Sequence, residues 1–202
     1  MIKTIIFDFG DVFINLDKPA TFRELQKLAI KELPEDMLHI NKEYEMGLIS
    51  SESFISSYIN NFSSLSQERI IAAWNAILID FPKYRYHFIK KLAKEKNYRL
   101  ILLSNTNEIH IDWVKEKVPF FEEFKSCFDE FYLSHEINLR KPNSDIFEFV
   151  LNKHQLKAEE CLFIDDVLEN TNAAKKLGIH VWNLEPTRED VIDLFTTNKA
   201  LF

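Results

Sequence analysis

Apolar residues along the chain fall into two kinds of pattern. Five runs of strand length, Ile2 to Phe9, Tyr98 to Leu103, Phe128 to Leu133, Cys161 to Ile164 and Ile179 to Leu184, end in polar residues and are too short for buried helices. Between them apolar positions recur at helical spacing: Phe88, Ile89, Leu92 and Ala93 before the second run, Ile109, Trp113 and Val114 after it, and Ile146, Phe149 and Val150 after Pro142. Strand alternates with helix, so the expected fold class is α/β, a parallel sheet with helices on both faces and working loops at the carboxyl ends of its strands. Gly178 reads as a helix stop, and Thr187 with Asp190 as a capping box opening a helix.

The stretch from Leu16 to Phe81 departs from this alternation. Phe22, Leu25, Leu28 and Ala29, then Phe54, Ile55, Tyr58 and Ile59, then Ile70, Ile71, Trp74 and Ile77 all keep helical spacing, and no convincing strand lies among them. The expected organisation is an α/β domain formed by residues 1–15 and 82–202, interrupted by an all-helical insertion at 16–81 with Gly47 at a turn.

Composition narrows the picture. A chain of 202 residues, 46% hydrophobic and 28% charged, can bury the core of one domain and a sizeable insertion. Only three glycines and six prolines exclude collagen-like and low-complexity chains, and no stretch reaches the roughly 18 apolar residues of a membrane helix. Asp8 interrupts the apolar start before a signal-peptide core can form, so a cytoplasmic protein is expected. Cys127 and Cys161 make neither a disulfide framework nor a metal-ligand spacing and read as core thiols. A formal charge of −7 argues against nucleic acid and anionic membrane as partners, and no protein partner is inferred.

Four segments stand at or just beyond predicted strand ends: Asp8-Phe9-Gly10-Asp11-Val12, Ser104-Asn105-Thr106-Asn107, Arg140-Lys141-Pro142 with Lys141 opening a helix, and Asp165-Asp166 followed by Asn170. Singly, each has an ordinary explanation as a cap, a turn or an exposed dipeptide. Together they bring three carboxylates, a hydroxyl, backbone N–H groups and one ammonium to one sheet edge. Two like charges about 4 Å apart repel by roughly 4 kcal/mol at an effective dielectric near 20, so Asp8, Asp165 and Asp166 cannot converge ionised without cations. Lys141 supplies one charge, and a hard divalent ion on oxygen ligands, Mg2+, suits the remainder. A carboxylate beside bound phosphorus can attack it to form an aspartyl-phosphate that water then hydrolyses.

These four segments, in this order and around a helical insertion, resemble the motifs of the haloacid dehalogenase-like hydrolase superfamily, in its members with a helical cap on a Rossmann-like core. More narrowly they are similar to bacterial sugar-phosphate phosphatases acting on α-D-glucose 1-phosphate. The resemblance implies that Asp8 is the nucleophile and a magnesium ligand, that the Gly10 carbonyl and Asp166 complete the protein ligands, and that Ser104 and the Asn105 backbone N–H hold phosphate oxygens. Lys141 then neutralises nucleophile and phosphate, and Asp165 orients Lys141 or a metal-bound water. Asn170 either helps from the helix start or caps that helix. The implied partner is a small phosphorylated metabolite.

One departure matters. Typical phosphatases of the superfamily carry a second aspartate two residues after the nucleophile as general acid and base, whereas this chain has Gly10 there; Asp11, one position on, reads better as a turn residue. General acid–base help is worth roughly 10²- to 10⁴-fold, so good leaving groups should be favoured. Two other functions compete. A 2-haloacid dehalogenase would use Asp8 on carbon without metal, leaving the Asp165–Asp166 pair repulsive and idle. A phospho-ligand-binding module would keep the fold without turnover. Polar residues of the insertion, His39, Glu43, Tyr44 and Glu45, read as solvated faces, Phe120, Phe121, Phe124 and Phe128 as core packing, and the scattered histidines as neither ligands nor bases.

Overall fold

The computed structural model describes residues 1–63 and 65–202. Five strands, β1 (Thr4–Phe7), β2 (Arg99–Ser104), β3 (Glu130–Leu133), β4 (Cys161–Asp165) and β5 (His180–Asn183), form one parallel sheet in the order β3-β2-β1-β4-β5. Each coincides with a predicted run; β1, β3 and β5 are shorter than predicted because the flanking apolar residues pack in loops, whereas β2 and β4 each extend one residue further, to Ser104 and Asp165. The register aligns Phe7 with Leu102 on one side and Ile164 on the other, so β2 runs two residues and β4 one residue past the end of β1 at the same sheet edge. Successive side chains alternate between faces. Ile5, Phe7, Leu100, Leu102, Leu162 and Ile164 pack into one buried cluster, and Ile6, Ile101, Leu103 and Phe163 into another.

Between β1 and β2 lie α1 (Ala20–Lys27), α2 (Glu35–Glu45), α3 (Ser51–Asn61), α4 (Gln67–Asn75) and α5 (Lys83–Glu95). The first four gather their apolar faces in a third buried cluster containing Leu25, Met37, Tyr44, Phe54, Tyr58 and Ile70. Ser50 and Ser66 cap α3 and α4 by accepting the N–H of Ser53 and Arg69. The chain enters and leaves this segment along two antiparallel stretches, where Asn15 N–H donates to Asp80 O (2.8 Å) and Asp17 N–H to Ile77 O (2.8 Å). Arg85, 5% exposed, braces this neck by donating to Asn15 Oδ1 (2.9 Å) and Asp190 Oδ2 (3.0 Å).

After β2 come α6 (Glu108–Lys117) and α7 (Phe121–Lys125). Beyond β3 come α8 (Ser134–Ile137) and α9 (Ser144–Lys153), then α10 (Leu168–Lys176) after β4 and a short α11 (Leu194–Thr197) near the end. Phe9, Phe13, Phe81 and Phe124 pack ring on ring, Phe13 and Phe124 at 5.0 Å and Phe81 and Phe124 at 4.8 Å, fixing the loop after β1 against the sheet. Gly178 follows α10 at φ +84° and Gly47 follows α2 at φ +66°, both left-handed turns.

Three local expectations are corrected. Thr187 lies in a turn and caps nothing; Asp190 alone caps, accepting Ile192 N–H for a 3-10 turn, because the following apolar residues are too few for a longer helix. Lys141 does not open a helix: α9 starts at Ser144, since Pro142 disfavours helical backbone at the residue before it. Tyr44 is no solvated face. It is 2% exposed, stacks on Phe54 at 4.2 Å and accepts the Ile109 N–H at its hydroxyl (3.1 Å).

Candidate active site

The sheet progresses outward from β1 through β2 to β3 on one side and resumes with β4 on the other, so the strand order reverses between β1 and β4. Crevices at such reversals are where open α/β sheets bind ligands. Asp8 follows β1 and stays in the ladder through its N–H, donated to Ile164 O at 2.9 Å. Asp165 ends β4 and Asp166 follows. One oxygen from each of the three carboxylates lies within 4.8 Å of the others.

Lys141 reaches this cluster from the loop before α9. Its ammonium, 1% exposed, lies 2.8 Å from Asp8 Oδ1 and 2.7 Å from Asp165 Oδ2. Asp8 Oδ1 is buried and, although paired in charge with Lys141, has no aligned hydrogen-bond donor. Burial pushes the Asp8 carboxyl up to about 7; Lys141 opposes that rise, and Asp165 and Asp166 add to it. Burial works against the Lys141 ammonium too, but the two flanking carboxylates outweigh it and hold its pKa above the ordinary lysine value.

Asp165 is fully engaged by the chain itself. Besides the Lys141 ammonium it accepts the Val167 N–H (2.7 Å) and the Asn170 amide (3.0 and 3.1 Å). Asn170, 5% exposed in the first turn of α10, is thereby a brace for Asp165. Ser104 closes β2, and with Asn105 it lines a cavity of about 380 Å³ also bounded by Asp8, Gly10, Lys141 and Asp166. The Asn105 side chain clasps the backbone of Lys141 in both directions, donating to its carbonyl (2.8 Å) and accepting its N–H (2.9 Å). The structure therefore brings Asp8, Gly10, Ser104, Asn105, Lys141, Asp165, Asp166 and Asn170 to one place.

Asp11 stands apart. Its backbone is left-handed (φ +53°), one carboxylate oxygen accepts the Leu16 N–H (2.9 Å) and the other meets Lys18 Nζ (3.1 Å), so it serves the turn. At Gly10 an added Cβ would lie 2.7 Å from Leu16 Cδ1: the position of the missing acid is covered by an apolar side chain.

Several cavity residues were given no role by the sequence pattern. Lys18 pairs with Asp166 as well as Asp11; burial lowers its pKa, but the two carboxylates prevail and hold it above the ordinary value. Arg140 pairs with Glu45 (Nη2–Oε2, 2.7 Å) across the cavity mouth. Ser134 Oγ accepts the Thr106 N–H (2.9 Å) while its proton faces Glu45 O (2.5 Å), fastening the end of α2 to the sheet. His110 borders the cavity, with its ring between the Trp74 carbonyl and the Asn107 amide. An isolated Lys, Ser or His carries no periodicity of its own, so only the adjacency of Arg140 to Lys141 was a usable signal.

The donor set consists of hard oxygens. With Asp165 saturated, Asp8 and Asp166 are the carboxylates left to converge, countered by Lys141 and Lys18, and their hard oxygens fit a small divalent ion and not a soft metal.

A family model for haloacid dehalogenase-like hydrolases matches residues 2–178. D-ribitol-5-phosphate phosphatase from Bacteroides thetaiotaomicron is 29% identical over 92% of this chain and 93% of its own length. Glyceraldehyde 3-phosphate phosphatase from Methanocaldococcus jannaschii is 27% identical over 89% of this chain and 83% of its own. Among solved structures, a HAD family enzyme from Bacteroides thetaiotaomicron in complex with magnesium superimposes with a TM-score of 0.85 at 33% identity, covering 96% of this chain and 98% of that one. With its motifs on one sheet edge and its length matched almost throughout, this chain belongs to the haloacid dehalogenase-like hydrolase family.

Proposed function

We propose that the protein is a magnesium-dependent phosphatase that hydrolyses small sugar and polyol phosphate monoesters, α-D-glucose 1-phosphate among the candidates, through an aspartyl-phosphate on Asp8. The observation that carries this reading is the Asp8–Lys141–Asp165 array beside Asp166: a buried carboxylate with a charged partner but no aligned donor, lining a cavity together with Ser104 and Asn105. The relatives named as phosphatases of ribitol and glyceraldehyde phosphates support the substrate class.

Asp8 and Asp166, with the Gly10 carbonyl, are the residues to hold Mg2+, which when bound offsets their repulsion and the charge of the phosphate. Asp8 presents its free carboxylate oxygen to phosphorus. Lys141, held by Asp165 and by the Asn105 clasp, stays ionised and counters charge on nucleophile and phosphate oxygens. Ser104 and the Asn105 N–H bind the non-bridging oxygens. Phosphorus–oxygen cleavage releases the alkoxide of the sugar, and water then attacks the phosphorus on Asp8, returning the carboxylate and inorganic phosphate. Because Leu16 covers Gly10, no side chain there protonates the leaving oxygen, so rate should depend on leaving-group acidity. Helices α1–α4 act as the cap over residues 1–15 and 82–202, shaping the leaving-group side of the cavity.

The test is inorganic phosphate release from esters of graded leaving-group acidity, with and without Mg2+. The expected result is magnesium-dependent release that rises with leaving-group acidity and falls by roughly a thousandfold or more in Asp8→Asn. Release unaffected by that substitution overturns the assignment. Esters that bind but never turn over support the binding-module alternative, and metal-independent halide release the dehalogenase one.

A further inference from the structure

The cavity has two unlike walls beyond the phosphate site. One is apolar, formed by Ile14, Leu16, Ile77 and Leu78 along the neck of the helical segment. The other carries the Arg140–Glu45 pair, where α2 meets the loop before Lys141. The same pair, with Lys18, Ile77 and His110, also lines an adjoining cavity of about 440 Å³ on the α2 side, so it stands at the junction of the two spaces.

The pair is built into place. Glu45 is the last residue of α2, and its backbone carbonyl is within 2.5 Å of Ser134 Oγ; the next carbonyl, of Met46, accepts the Asn138 amide at 2.8 Å. Arg140 is one residue from Lys141, whose backbone is clasped by Asn105. Arg140 Nε and Nη2 both address a single oxygen, Glu45 Oε2, at 2.8 and 2.7 Å. Arg140 Nη1 and Glu45 Oε1 therefore have no hydrogen bond to any described residue. The outcome is a donor and an acceptor side by side, half-buried, opposite an apolar wall.

We infer that Arg140 and Glu45 form the specificity-determining fork for a vicinal diol in the leaving group: one hydroxyl donates to Glu45 Oε1, the neighbouring one accepts from Arg140 Nη1, and the C–H face of the polyol lies on Leu16 and Ile77. This rests on the phosphatase reading and adds to it the recognition of the substrate's hydroxyls. A carboxylate–guanidinium pair is suited to this task because hydrogen bonds to charged groups are stronger than neutral ones, and a polyol that lacks the hydroxyls leaves the fork unpaired.

The experiment compares kcat/KM for D-ribitol 5-phosphate with that for pentyl phosphate, which has the same carbon number and no hydroxyls, in the wild type, Glu45→Gln and Arg140→Met. The wild type is expected to favour ribitol 5-phosphate by roughly tenfold or more, and each substitution to reduce that ratio by about the same factor, mainly through KM. Residual hydrolysis of pentyl phosphate in the variants reports that they are folded. A wild-type ratio near one, or a ratio that the substitutions leave unchanged, overturns the fork while the phosphatase reading stands. Hydrolysis of neither ester by a wild type that still releases phosphate from α-D-glucose 1-phosphate overturns the fork alone, and release from none of the three overturns both.

Discussion

At the scale of single residues, the site separates groups that react from groups that aim them. Lys141 is shared by two carboxylates, and its position depends on Asn105, whose side-chain amide holds both the N–H and the carbonyl of Lys141. The sequence suggested a phosphate-binding backbone N–H at Asn105 but not this clasp, because which way a side chain points after a strand end depends on a loop brought in from 36 residues away. His110 shows the opposite limit. It belongs to no motif, yet its Nε2–H meets the Trp74 carbonyl and its Nδ1 accepts from the Asn107 amide (both 3.1 Å), so the neutral ring is satisfied at both nitrogens. Burial, aided by His135 and opposed by the Trp74 carbonyl, lowers its pKa to about 4. A histidine whose folded pKa lies below its unfolded value binds fewer protons folded than unfolded. Its neutral form thus costs nothing above about pH 6.5, and stability falls as pH drops from there towards 4. Because the ring borders the cavity, the loss is at most about 3 kcal/mol. Denaturant unfolding from pH 7 to 4 checks this: His110→Gln should give the flatter stability profile across that window, and parallel profiles would contradict the assignment.

At the scale of elements, strands and helices of the α/β part were legible because short continuous apolar runs ending in polar residues differ plainly from apolar positions at helical spacing, and the sheet has a strand at each run. What failed was local and depended on neighbours: Thr187, read as a cap, has no helix to cap, and Tyr44, read as a solvated polar position, is drawn inward by Phe54 and the Ile109 N–H. The joint between α2 and the sheet was legible only as a glycine. Gly47 has φ +66°, and a Cβ there would lie 1.9 Å from the His135 carbonyl oxygen, so this backbone approach admits no side chain. Gly47→Ala should destabilise the protein by about 2 kcal/mol or more, a fall in Tm of roughly 4–8 °C, measured by thermal unfolding. An unchanged Tm would show that the α2 end does not sit against His135 as described.

At the scale of the whole molecule, the order of strands does the chemical work of assembly. Asp8 and Asp166, 158 positions apart along the chain, converge because β1 lies between β2 and β4 and the three parallel strands end at the same sheet edge. Lys18 and Glu45 from the helical segment and His110 from α6 line the cavities at that edge, and the spacing of motifs could locate none of them, since their positions follow from tertiary packing. In the proposed mechanism Asp8 itself carries the phosphoryl group during turnover. Rapid acid quench of the enzyme mixed with a radiolabelled sugar phosphate and Mg2+, followed by peptide mapping, tests it most directly. Label on the peptide containing Asp8, absent in Asp8→Asn and when magnesium is chelated, is the predicted result. Turnover with label on a different residue, or with labelling that persists in Asp8→Asn, would contradict it.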